Sequence, residues 1–291
     1  MKTKKQAILC IISAAFFFAL MNLFVKLAGD LPIWQKCFFR NLVAFFIAVG
    51  IVFKDKVSVK VEKEHRLFLL GRCVSGSIGI ICNFYAIGKL NIADASMLNK
   101  LSPFFAIIFS IFILKEKPKR MEWITVCIAF CGALFIIKPS FGMDSFPAFI
   151  GFISGIGAGL AYTCVRRLGS HGVKGPLIVF YFSLFSCLIV LPGMMVTYES
   201  MSVLQLVYLI GAGCAAAVAQ FSITAAYSKA PAKEISVFDY MQVIFAAILS
   251  FVVLHRLPDI YSVMGYIIII GTAVYRWSHD MKQSKLGVEN I

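Results

Sequence analysis

Ten predominantly apolar runs follow one another along the chain, at 7–28, 34–53, 66–89, 93–114, 121–138, 147–167, 176–197, 203–229, 233–254 and 259–277. Each is close to the roughly 20 residues that an α-helix needs to cross the hydrocarbon core of a bilayer. None shows the polar face, at helical period, of a helix on the surface of a soluble domain. The pattern predicts an all-α integral membrane protein with ten transmembrane helices. Connections such as Asn91-Ile92 and Leu257-Pro258 are only a few residues long, which forces neighbouring spans into antiparallel hairpins. The first run follows Lys2, Lys4 and Lys5. It is too long for the apolar part of a signal peptide and lacks a small-residue cleavage site, so it reads as an uncleaved first helix.

Composition agrees with the pattern. Hydrophobic residues make up 60% of the 291 positions and charged residues 14%, against about 45–50% and about 25% in soluble proteins. This excludes an ordinary water-soluble enzyme, a disordered chain and a nucleic-acid-binding module. A net charge of +14 would suggest a polyanion partner in a soluble protein, but here the basic residues sit between apolar runs. Membrane proteins concentrate such residues on the cytoplasmic side. With the N-terminus inside, 20 of the 28 Lys and Arg fall on the inner side and 5 on the outer, while Arg40, Arg72 and Lys100 lie within spans. Both termini are therefore expected in the cytoplasm and the protein in the cytoplasmic (inner) membrane. The expected partners are the bilayer and a small-molecule solute, with no nucleic acid. Most of the nine cysteines lie inside apolar runs. No CxxC or Cys/His set stands out, so no metal, cofactor or disulfide framework is expected.

Sliding the chain on itself by 140 residues aligns 71–118 with 211–258 without a gap. Besides apolar matches, it pairs Lys89 with Lys229, Ser96 with Ser236, Ser110 with Ser250 and Pro118 with Pro258. Two repeats of five spans follow, at 1–145 and 146–291. Five is odd, so the second copy enters the membrane from the opposite side. Inverted repeats of this kind place a solute site near the bilayer midplane, between the halves.

The strings Tyr85-Ala86 through Asp94-Ala95, Leu101-Ser102-Pro103-Phe104 and Leu114-Lys115-Glu116-Lys117 resemble the third and fourth helices of EamA-type proteins of the drug/metabolite transporter superfamily. Ala230-Pro231-Ala232, Phe238-Asp239-Tyr240-Met241-Gln242 and Leu257-Pro258-Asp259 resemble the same domain a second time. Phe38-Phe39-Arg40-Asn41 and Val179-Phe180-Tyr181-Phe182 extend the resemblance over essentially the whole chain. It implies ten helices, a central cavity and solute transport without ATP. The Phe-Asp-Tyr and Leu-Pro-Asp strings look closest to the branch of S-adenosylmethionine uptake carriers. That makes S-adenosylmethionine, in exchange for S-adenosylhomocysteine, the specific candidate, with a proton-coupled exporter of amino acids or amphipathic drugs as the alternative. One departure stands out: His255-Arg256 stand where Glu116 stands in the first half.

Polar groups inside a bilayer are costly and mark function by default. In the fourth span Ser96, Asn99 and Pro103 share a helical face, next to Lys100. In the ninth, Ser236 and Asp239 occupy the matching face, next to Tyr240 and Gln242. Asp239 is the only acidic residue well inside a span, about 9 Å deep at 1.5 Å per residue, and Lys100 lies about 10–11 Å from the opposite surface. The two then differ by roughly 10 Å in depth across a core about 30 Å thick. They either bracket a zwitterionic solute or close into an ion pair through the lysine stem. Further lining candidates are Asn22, Asn83, Tyr85, Tyr162 and Gln220, the last sharing a face with Thr224. Arg40 and Arg72, each six residues from a helix end, are expected to snorkel to the headgroups. Gly151, Gly155 and Gly159 read as a close helix contact. Of Phe16, Phe17 and Phe18, one at most is expected in a cavity wall. No nucleophile with a paired base points to an enzyme.

Overall fold

The computed structural model describes residues 2–115, 120–137, 145–229 and 236–285. The described residues form α1 (Lys2–Leu27), α2 (Ile33–Lys54), α3 (Lys63–Lys89), α4 (Ile92–Asn99), α5 (Ser102–Ile113), α6 (Arg120–Ile137), α7 (Phe146–Ser170), α8 (Gly175–Val196) and α9 (Val203–Lys229). A 3-10 segment, Ser236–Tyr240, then leads into α10 (Met241–Leu254), and α11 (Ile260–Lys285) closes the order. Among the described residues nine stretches are long and apolar enough to cross a bilayer, and the fifth predicted span holds the shorter apolar helix Trp123–Ile136. Glu116 lies outside the described residues.

Two spans differ from the continuous helices expected at 93–114 and 233–254. The fourth breaks between α4 and α5. Pro103 is the cause, since it lacks an N–H and its ring displaces the carbonyl of Asn99, four residues back. The chain crosses the break on tighter bonds, Leu101 N–H donating to the Leu98 carbonyl at 3.3 Å and Phe104 N–H to the Leu101 carbonyl at 3.0 Å. The ninth span tightens into its 3-10 turn at the matching place, ending at Tyr240 where α4 ends at Asn99. The repeat recurs in the backbone at the other end of both spans. Lys115 after α5 and His255 after α10 adopt left-handed conformations, with φ of +56° and +52°. A left-handed residue of this kind closes the last carbonyls of a helix.

The helix pairs show how the repeats interlock. α1 packs on α9 and α3 on α7, a first-span-on-eighth contact and its mirror, sixth on third. α2 packs on α8, α4 on α10 and α6 on α11, each a span against its own repeat mate. The main contacts thus run between repeats, and the space they enclose lies between the halves. One apolar core joins α1, α3 and α9, with Phe18, Phe84, Ala212, Ala216 and Ala219 among its buried members. A second joins the broken fourth span to α6, α10 and α11 through Leu98, Phe104, Phe105 and Tyr266. Large side chains such as Phe53, Leu67 and Val203 point outward, as a lipid solvent allows.

The glycines of α7 set its distance from the broken span. A Cβ on residue 155 would stand 2.6 Å from the Leu98 carbonyl oxygen, and one on residue 159 would stand 2.5 Å from the Cβ of Phe105. The stripe is therefore a close helix contact, and what it clasps is the break itself.

Candidate functional site

A cavity of about 70 Å³ lies where the repeats meet. Six of the candidate residues line it: Asn83, Asn99, Lys100 and, from the second repeat, Tyr162, Gln220 and Gln242. Phe18 supplies the aromatic wall expected from one of the three adjacent phenylalanines, while Phe16 packs edge-on against Phe17 and Phe245.

Lys100 lies at the end of α4, where the break turns its side chain inward. Its Nζ is 2.7 Å from Oδ2 of Asp239, and both side chains are 2% exposed. The ammonium also stands 5.7 Å from the centre of the Phe18 ring. The expected separation of about 10 Å in depth is not found, because the helix break and the long lysine stem together close it. An ion pair forms instead of a bracket, and Asp239 stands behind Lys100 rather than on the cavity wall. The second carboxylate oxygen of Asp239 has no hydrogen-bond partner among the described residues.

Four other candidates stand away from the cavity. Asn22 and Ser96 bond to each other, Asn22 Nδ2 donating to Ser96 Oγ at 3.1 Å with both fully buried, while Asn22 Oδ1 has no partner among the described residues. They form a joint between α1 and α4 rather than lining. Tyr85 packs edge-on against Phe146, ring centres 6.1 Å apart. Tyr240 is buried in the second apolar core, and its hydroxyl has no partner among the described residues. The side chain of Ser236 lies outside the described residues. On α9 the hydroxyl of Thr224 donates to the Gln220 carbonyl at 2.7 Å, and only Gln220 of this pair reaches the cavity. Asn99 is tied to α7, its Nδ2 donating to Ser154 Oγ at 3.2 Å.

Two residues that line the cavity were expected elsewhere. Arg40 and Arg72 are 2% and 3% exposed, so neither snorkels to the headgroups. Their guanidinium carbons lie 5.8 and 3.9 Å from the centre of one ring, that of Phe182. Arg40 donates to Asn41 Oδ1, and Asn41 Nδ2 donates in turn to Ser186 Oγ on α8 at 3.0 Å. The Nε of each arginine has no partner among the described residues. The reason lies in the neighbours one and two turns along. Arg40 shares a face with Cys37, Ala44 and Ala48, and Arg72 with Ser75, Gly76, Gly79 and Asn83. Stripes of small and polar residues face other helices in a membrane bundle, so both arginines start on interior faces. Those stripes are the signal that would have found them. Among the described residues no group of three or more His, Cys, Asp or Glu side chains is placed to hold a metal ion.

Known proteins resemble this chain over nearly its whole length. The model of the EamA-like transporter family matches it twice, over residues 5–138 and 145–275. The chain is 30% identical over 272 residues to the pseudopaline exporter CntI of Pseudomonas aeruginosa, covering 91% of this chain and 94% of that protein. It is 25% identical over 292 residues to solute carrier family 35 member G1 of Homo sapiens, covering 92% of this chain and 79% of that one. A crystal structure superposes with a TM-score of 0.70 over 93% of this chain and 96% of its own, at 13% identity, a likeness of fold.

Proposed function

The chain belongs to the EamA-like transporter family, and from that premise we propose that it is a secondary carrier exporting a small polar metabolite by alternating access through the central cavity. The repeats are taken as 1–145 and 146–291, with both termini in the cytoplasm and the protein in the inner membrane. Lys100 carries the reading. It comes from the helix break of the first repeat, lines the cavity, and is held by Asp239 at the matching junction of the second. A charge pair of that kind in a membrane interior marks a solute or ion pathway.

The cavity of about 70 Å³ is small for a metabolite. Ligand pockets run to roughly 300 Å³ or more. Transport therefore requires the halves to part, on one side at a time, and two inverted repeats provide two such arrangements. A solute group that engages Lys100 frees Asp239. The freed carboxylate is then available to a coupling proton. Solute binding and proton binding are coupled through that exchange, and an inward proton drives the solute out.

Export as the direction is supported by the resemblance to a pseudopaline exporter. S-adenosylmethionine finds no support in the names of the relatives, and its sulfonium cation would enter a site already lined by Arg40, Arg72 and Lys100. The test is flux through purified protein in liposomes, with a labelled metabolite panel and an imposed proton gradient but no ATP. Gradient-driven accumulation of at least one solute, lost in Lys100→Gln, is expected. Flux no greater than in protein-free vesicles across the whole panel removes the reading.

A further inference from the structure

The charges in the cavity do not balance, and the imbalance names a class of solute. Lys100 is neutralised by Asp239. Arg40 and Arg72 have no ion-pair partner among the described residues. The titratable groups that act on them are the thiols of Cys37, Cys187, Cys73 and Cys164, the Tyr162 phenol and, on Arg40, Arg72 itself. No carboxylate of the described residues is among them. Two guanidinium groups, their carbons 5.8 and 3.9 Å from the ring centre, therefore gather about one phenylalanine. A ring face returns only a small part of what an ion loses on leaving water. Arg72 is also given room: Gly76, one turn along, has no Cβ, and an alanine there would drive its methyl into the guanidinium.

We infer that the solute of this carrier is a dianion, whose charge is met by Arg40 and Arg72 beside the Phe182 ring. The inference rests on the carrier reading above and deepens it. The planar guanidinium fork matches a carboxylate or a phosphate, taking two oxygens at once. Two carboxylates on one solute or a single phosphate monoester supply the same two charges. The buried Asn83 Oδ1 and Gln242 Oε1 of the same cavity have no partners among the described residues. They offer acceptors to N–H or O–H groups that the solute also carries.

The test reads the field of the cavity without knowing the solute. In full-length protein lacking its nine native cysteines, a cysteine replaces Gln220 on the cavity wall, and a second protein carries one at exposed Ser200 as a control. Each is reacted with an anionic and a cationic methanethiosulfonate of matched size. Relative to the control, the anionic reagent is expected to react about tenfold faster or more at the cavity, the enrichment that a charged cleft produces. Arg40→Gln with Arg72→Gln removes the preference, and the corresponding lysine variants keep it. A cationic reagent that reacts as fast or faster at Gln220→Cys in the otherwise intact site overturns the inference and leaves the carrier reading standing. Failure of both reagents at the cavity, while the control reacts, means that the halves never open and removes both. Succinate and glycerol phosphate are then offered as protectants. Whichever slows the anionic reagent more assigns the solute to dicarboxylates or to phosphate monoesters, whereas slowing by putrescine and by neither anion overturns the inference.

Discussion

The ammonium of Lys100 lies 2.7 Å from the carboxylate of Asp239, and this contact joins the helix breaks of the two repeats. The pair does not map onto itself. At the repeat offset Lys100 corresponds to Tyr240 and Asp239 to Asn99. If the halves exchange conformations, the contact is replaced by its mirror, Tyr240 with Asn99. On the alternating-access proposal, the ion pair belongs to one of the two arrangements and acts as a latch upon it.

Removing one member of the latch leaves the other buried without its partner. Breaking a buried pair in this way costs about 3–5 kcal/mol, and Asp239→Asn or Lys100→Gln alone should lower the thermal midpoint of the detergent-solubilised protein accordingly. Double substitution, Lys100→Gln with Asp239→Asn, should restore most of that stability. Transport should stay absent, because the groups that exchange solute for proton are gone. Recovery of flux along with stability in the double variant would show that the pair only fastens the halves.

Tyr240 gives the complementary case. Its hydroxyl is buried without a partner among the described residues, and the mirror contact would provide one in Asn99. Tyr240→Phe should leave the stability of the latched form unchanged or raise it by about 1 kcal/mol, since an unsatisfied buried polar group is removed. It should slow transport by taking a hydrogen bond from the other form. Thermal midpoints and initial rates on the same preparation separate the two effects. An unchanged rate would remove Tyr240 from the cycle.

Much of this was legible in the sequence, and the parts that were not have physical causes. Spans and repeats follow from hydropathy and from one 140-residue offset, because a bilayer leaves a chain few other ways to satisfy its backbone. Pro103 breaks the fourth span, which its apolar run made read as one continuous helix. Lys100 and Asp239 were visible as charges in spans, but their contact depends on how far the break turns a side chain, which no spacing records. Arg40 and Arg72 were misplaced by counting depth alone, where the face of the helix decides. Asn22 and Ser96 show the opposite error. Both are polar in mid-span, yet they bond to each other at 3.1 Å and neither reaches the cavity wall.

Gly155 tests how closely α7 must rest on the break. An alanine Cβ would stand 2.6 Å from the Leu98 carbonyl, a contact that only backbone movement relieves. Gly155→Ala should destabilise by about 1–3 kcal/mol, the usual effect of overpacking, and lower transport through the displaced Lys100. A Cβ on residue 50 would meet nothing within 4 Å, so Gly50→Ala should be neutral or stabilise α2 by about 0.5–1 kcal/mol. Equal thermal midpoints for the two variants would mean that the clasp at the break is loose.

The orientation proposed from the charge distribution is tested separately. Basic residues divide 20 to 5 between the two sides, and Lys and Arg near span ends are retained in the cytoplasm. A fluorescent reporter fused after Ile291 should therefore fold and shine, and alkaline phosphatase fused there should be inactive. Fused after Ser140, between the repeats, the same two reporters should behave in reverse, because five spans carry the chain to the far side. Inactivity of the phosphatase at both sites would give the halves the same orientation. The repeats would then be parallel rather than inverted, the mirror contact of Tyr240 with Asn99 would lose its basis, and the alternating opening of the cavity would need a different source.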